Sequence, residues 1–416
     1  MISFVRSLLA ASLTVLMLSL LSDAALAQEM RRSGDRYVRS TTQTFEVGDG
    51  GALDINTVGA VTVVGSNRGN VEVEETVRVY TNDGARAERL AGELEAEYTV
   101  DGTTLRIQTN DEVRSSRLSW SFEIRVPRRF DVDVETSSGP VQISDLQGRV
   151  NGETSGGPVS ISNVDGTVYG ETRGGPVSLE QISGDATAET YGGPISARDI
   201  GGALEAETYG GPISVAGVGK DARLETAGGG ISVRDVAGSL RAETAGGGIS
   251  IRSVSGNVFA ETAGGGIECA DIGGSLEAET AGGDIEGSSI AGPATARTRA
   301  GDIELSGIAA SIIAETSVGD IEVQMDAAGS DNSSFSASHG DVKLTMPADI
   351  AVAFDIEVRR SWSGGIDRDD IESDFPITLE AGQNRRYVRA TGTLNGGGPL
   401  LEIRTSGGSV EIRKKP

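Results

Sequence analysis

The chain has 416 residues, with 61 Asp and Glu against 36 Lys and Arg, and a formal net charge of −25. So acidic a surface disfavours nucleic acid and anionic lipid, whose phosphates it repels. A single Cys and a single His exclude a disulfide framework and leave almost no material for Cys–His, Ser–His or His–metal chemistry.

Residues 1–27 read as a secretory signal. Arg6 supplies the basic start, Leu8 to Leu21 the apolar stretch, and Ala25-Leu26-Ala27 the small-residue cleavage site. The mature chain is then expected to start at Gln28, in the periplasm, at the cell surface or outside. No integral membrane segment remains after cleavage. Removing Arg6 and Asp23 leaves the net charge unchanged.

Residues 28–131 form the expected N-terminal cap. Val71 to Val79 alternates like a strand, and Leu105-Arg106-Ile107 and Phe122 to Val126 do the same. Between them Ala87, Leu90, Ala91 and Leu94 recur at helical spacing, with Asn82 or Asp83 as N-cap. Thr57 to Val63 resembles a degenerate copy of the repeats that begin near residue 132.

From 132 to 325 the sequence repeats. Glu135-Thr136 returns every 18 residues as far as Glu315-Thr316, with Arg297 in place of one Glu and no insertion or deletion. Three residues after each Thr stands a Gly, from Gly139 to Gly319. A fixed short period predicts a solenoid, whose rungs bury their apolar faces only against one another. In the copy from Glu207 to Leu224, Ile213 and Val215, then Val218, then Ala222 and Leu224 are the apolar positions. That pattern predicts two short strands per rung, paired in parallel with the next rung at about 4.8 Å. The fold class is therefore an all-β, single-stranded parallel β-solenoid with an N-terminal cap containing one helix.

The Gly column predicts corners with positive φ. On that reading Gly229→Val should disturb the central rungs. Pro follows the Gly at 140, 158, 176, 194 and 212, where its missing N–H is best tolerated. The same position becomes Gly230, Gly248 and Gly266, then Asp284, Asp302 and Asp320. Residues 326–416 read as broader closing rungs, with strands at 351–359 and 387–394 and a last rung at 401–412.

Several of these features occur together in one known family. The strand–helix–strand opening from Val71 to Ile107, the Val126-Pro127 exit, and Thr316-Ser317-Val318-Gly319-Asp320-Ile321-Glu322 come in that order. Leu344 to Pro347, Ser363 to Ile366, Asp374-Phe375-Pro376 and Ile403 to Gly408 come after them. In this the chain resembles the bacterial putative-adhesin family, a β-solenoid domain of unknown function. The resemblance implies adhesion and supplies no catalytic residues.

Candidate chemistry is thin. The Glu column should point outward as an acidic stripe, partly offset by Arg223 and Arg241. The Thr column should point inward, its hydroxyls bonding rung to rung, which speaks against an ice-binding face. Cys269 replaces a core Val or Ile. His339 belongs to a loop or rung edge. No catalytic, cofactor-binding or metal residue is assigned, and no cofactor is expected. The expected function is that of a non-enzymatic adhesin-like or cell-envelope scaffold protein. Its partner would be a surface glycan or another envelope protein. A carbohydrate-active β-helix enzyme and a calcium-binding acidic repeat protein are the alternatives.

Overall fold

The computed structural model describes residues 29–94, 96–110, 117–359, 370–381 and 387–415. The signal segment 1–27 and the stretch 363–366 lie outside the described residues. The array is a parallel β-solenoid in which each rung adds one strand to each of two sheets. In the first sheet Ile213–Val218 pairs in parallel with Ile231–Val236, residue for residue 18 apart. In the second, Ala222–Thr226 pairs with Leu240–Thr244 in the same register. Exact repeat length holds every side chain on its own face, because a slip of one would invert the strand.

Inside, Ile, Val, Leu and Ala stack in columns between the sheets. Ile213, Val215 and Leu224 are at most 2% exposed. In the first sheet the inward residues fall two and then three apart. The longer step has a local cause that apolar spacing alone does not reveal. Asp145, Asn163, Gln181, Asp199, Asp235, Ser253, Asp271 and Ser289 all have φ between 53° and 64°, and Gly217 and Gly307 in the same column have 77° and 65°. Each is a left-handed residue just before the last apolar residue of its strand. It resets the alternation, so Val215 and Val218 both face inward. Asp, Asn and Gly accept this conformation most readily, since it costs other L-residues about 1–2 kcal/mol. Where the array ends, strand Ile321–Met325 lacks the extra residue, and Met325 lies opposite Ile308 after a register shift.

The expected positive φ holds at the ends of the Gly column, with 104° at Gly139, 157° at Gly301 and 140° at Gly319, but from Gly157 to Gly283 the column has a different cause. In Gly229 the φ lies outside the left-handed range. What matters there is space: a Cβ on Gly229 would lie 2.1 Å from the carbonyl oxygen of Gly211 in the preceding rung. The same holds from Gly157 to Gly283, at 1.9–2.3 Å. That carbonyl comes so close because a hydroxyl waits for it. Thr226 Oγ1 donates to Gly211 O at 2.9 Å and accepts the Gly229 N–H at 3.2 Å. From Thr154 to Thr316 every Thr of the column donates to the Gly carbonyl 15 residues earlier, at 2.7–3.0 Å. The Thr side chains are at most 7% exposed. So the hydroxyl column does join rung to rung, through backbone carbonyls, and cannot form an outer ice-binding face.

Both ends are closed by strands taken out of chain order. At the start, Leu118–Pro127 pairs antiparallel with Val71–Val79, which pairs with Arg36–Phe45. The rung formed by Gly51–Thr57 and Ala60–Ser66 slots between this cap and the array, contacting Phe130–Thr136 and Val141–Gln147. The expected helix spans Gly84–Gly92, with Asp83 as N-cap accepting the Arg86 N–H. Its Ala87 and Ala91 are buried. At the other end the last rung, Leu400–Ser406 and Val410–Lys414, inserts between Ser333–Ala337 and Val352–Arg359, and between Val342–Met346 and Ile371–Ser373. An antiparallel pair, Val352–Arg359 with Tyr387–Leu394, closes the second sheet.

Candidate functional site

Outward-facing positions of the second sheet carry the column of Glu side chains. The Glu side chains are exposed or half-exposed and recur at the rung spacing of about 4.8 Å. Carboxylates that close repel by about 1 kcal/mol per pair even in water. The sequence meets this with interleaved cations. Arg223 pairs with Glu225 at 3.0 Å and lies 3.9 Å from Glu205. Arg241 pairs with Glu243 and covers the Phe259 ring at 4.0 Å. Arg297, which breaks the Glu column, bridges Glu279 and Glu315 at 3.0 and 3.1 Å. Asn151 donates to Glu153, and Tyr169 to Glu171. Among the described residues Glu207 and Glu261 have no such partner. Burial, with repulsion from Glu171, Glu207 and Glu205, holds the Glu189 carboxyl above the usual range.

Beside the Glu column lies the residue immediately after each Thr. It is Tyr at 191 and 209, then Ala at 227, 245, 263 and 281, then Arg299. The small residues leave an open groove of about 1070 Å³ that runs along the solenoid from Glu207 to Ser338. Its floor is alanine and the edges of the Thr column, and one wall is the Glu column. Tyr191 and Tyr209 stand at its N-terminal end, 66% and 57% exposed, with rings stacked at 4.8 Å and 17°. The pair is legible in the sequence as Tyr at one repeat position in two successive copies, a signal that the Glu and Gly columns overshadow.

The Asp column is structural. Asp284 Oδ1 accepts the Asp302 N–H at 2.9 Å, Asp302 that of Asp320 at 2.8 Å, and Asp320 that of Asp341 at 2.7 Å. Where earlier rungs have Pro and no N–H, these have an Asp that takes the next rung's N–H. Among the described residues no group of three or more His, Cys, Asp or Glu is placed to hold a metal ion. Cys269 is 1% exposed, and burial pushes its thiol up to about 12, away from the reactive thiolate. His339 is exposed at a corner, and its carbonyl accepts the Gly319 N–H. Cys269 and His339 lie several rungs apart and form no pair. Among the described residues no helix is long and apolar enough to cross a membrane.

Fold and surface together define a repeat protein that offers one long, open, acidic face. Residues 239–413, less than half of the chain, match the Toastrack DUF4097 family model. The match agrees with the resemblance to a putative-adhesin family of unknown function. No curated protein matches the chain. Solved structures that it resembles include a putative adhesin from Bacteroides fragilis (12% identity, 69% of this chain and 96% of that one, TM-score 0.26). Others are a putative lipid binding protein from Parabacteroides distasonis (12%, 91% and 97%, TM-score 0.20) and a putative adhesin from Parabacteroides merdae (10%, 91% and 96%, TM-score 0.22). At these scores the likenesses add nothing to the functional argument.

Proposed function

We propose that the protein is exported and works without catalysis, as an adhesin-like or envelope-scaffold protein binding through its solenoid surface. The groove beside the Glu column carries this reading. It is continuous and open, and it repeats the same few side chains over many rungs, as suits an extended partner better than a small substrate. The regular ladder offers many equivalent carboxylates, whereas a glycosidase needs one set-apart pair at a defined separation. A surface glycan or another envelope protein is the partner class that such a face suits. The array of residues 132–325 is its working part, with 28–131 and 326–416 as closures and 1–27 as the export signal.

External protease or an antibody against the array, applied to intact cells beside a periplasmic control protein, tests the location. The array should be reached while the control is protected. Protection of both until the envelope is opened would refute surface adhesion and leave the scaffold.

A further inference from the structure

We infer that the Tyr209 end of the groove is a subsite for a linear amino-sugar polymer, which stacks a sugar ring on Tyr209 and sets an ammonium group against Glu207. This subsite presupposes the binding-surface role proposed above and adds the ligand's chemistry.

The ring comes first. A tyrosine more than half exposed leaves apolar area in water, and here two stand together. Tyr191 covers one face of Tyr209. The next residue of the column is Ala227, too small to cover the other, so that face opens into the groove. Exposed, rigidly held aromatic faces suit the apolar faces of sugar rings. Charge comes second. Glu207 lies on the groove wall beside Tyr209 and has no ion pair or hydrogen bond among the described residues, unlike Glu225 and Glu243 next to it. Its neighbour Glu189 is held above its usual range by burial and by the same crowding of carboxylates. An ammonium group there relieves repulsion that no ion pair at Glu207 relieves among the described residues, and it also suits the ring electrostatically.

Repetition comes third, and it separates a polymer from a single sugar. From Tyr209 to Arg299 the groove crosses five rungs, about 24 Å at the parallel-strand spacing. In an extended β-1,4-linked hexosamine chain adjacent rings face opposite ways and each advances by a step of similar size, so the amines on one side recur at every second rung of the Glu column. Arg297 and Arg299 interrupt the acidic run before Glu315 and would repel amines there. Rings thus mark one end of the alanine-floored stretch and cations the other, and the groove itself continues to Ser338.

The test is titration of the purified mature chain with glucosamine hexamer at low salt, measured by calorimetry. Binding should weaken at least tenfold with N-acetylglucosamine hexamer, which lacks the charge. It should weaken at least tenfold in Tyr209→Ala and in Glu207→Gln, and persist in Tyr209→Phe. Both positions are on the surface, so unchanged melting will show that the variants fold. Equal affinity for the acetylated hexamer, or no loss in Tyr209→Ala, would overturn the assignment. So would equal binding of hexalysine, since the contact would then be charge alone. The titration uses isolated protein, so its failure is separate from the cell-surface result.

Discussion

Gly229→Ala isolates the device that sets the rung spacing. The added methyl would sit 2.1 Å from Gly211 O, 2.4 Å from Gly211 C and 2.5 Å from Pro212 N, all of them backbone. No side chain can swing away, so the two rungs must part locally. Parting them lengthens the Thr226–Gly211 hydrogen bond of 2.9 Å inside a buried corner. Losing that bond costs about 1–3 kcal/mol, and forcing a methyl into filled space costs about 1–3 kcal/mol more. Gly229→Val adds two further methyls and should cost more. Gly228→Ala is the control, because its Cβ would come no closer than 3.3 Å to Gly210 O, and its cost should stay below about 1 kcal/mol. Urea denaturation monitored by circular dichroism gives the midpoints. Native-state hydrogen exchange then shows whether protection is lost first at the rungs around 211–231, as expected where neighbouring rungs supply each other's stability. A Gly229→Ala midpoint equal to that of wild type would refute the close-approach account.

Thr244→Val keeps the shape but strands Gly229 O and the Gly247 N–H, which the hydroxyl holds at 2.8 and 3.3 Å; thermal melting should show a loss of about 1–3 kcal/mol, while Thr244→Ser stays near wild type. Asp235, with φ of 60°, should tolerate Gly and lose about 1–2 kcal/mol as Val, read by the same melt. The C-terminal closure should be acid-sensitive. Hydrogen bonds from Arg389 and then Arg404 hold the Asp355 carboxyl below its usual range. Its contribution is present above the ordinary Asp range and is lost as pH falls through the lowered folded value. Asp355→Asn should therefore be less stable than wild type at neutral pH, with the gap closing in acid. A gap independent of pH would show that the ion pairs do not matter.

The period, the parallel stacking, the inward Thr and the outward Glu were all legible, because a repeat prints its geometry in every copy. The helix was legible from Ala87 and Ala91 with Asp83 before it. Three things were not. The left-handed column at Asp145 through Gly307 reads as ordinary polar variation, since Asp, Asn, Gln and Ser are equally at home on a surface. The Gly column announced that a side chain was forbidden but not why; crowding by Gly211 O and a left-handed backbone leave the same trace. The interleaved end strands, such as Leu400–Ser406 beside Ser333–Ala337, depend on pairing across more than sixty residues, and no local pattern records that. As for the groove, its wall was visible in the Glu column. Its open floor depended on noticing that the residue after each Thr shrinks from Tyr to Ala.

Because each closure is woven from strands that are not neighbours in the chain, neither end can gain or shed a unit without unpicking the weave. The middle has no such constraint, since a unit there touches only the one above and the one below. Change in length is thereby confined to whole 18-residue steps in the interior, each moving the two closures about 4.8 Å further apart. Whole-unit duplication in the interior would lengthen the binding face and leave both closures untouched.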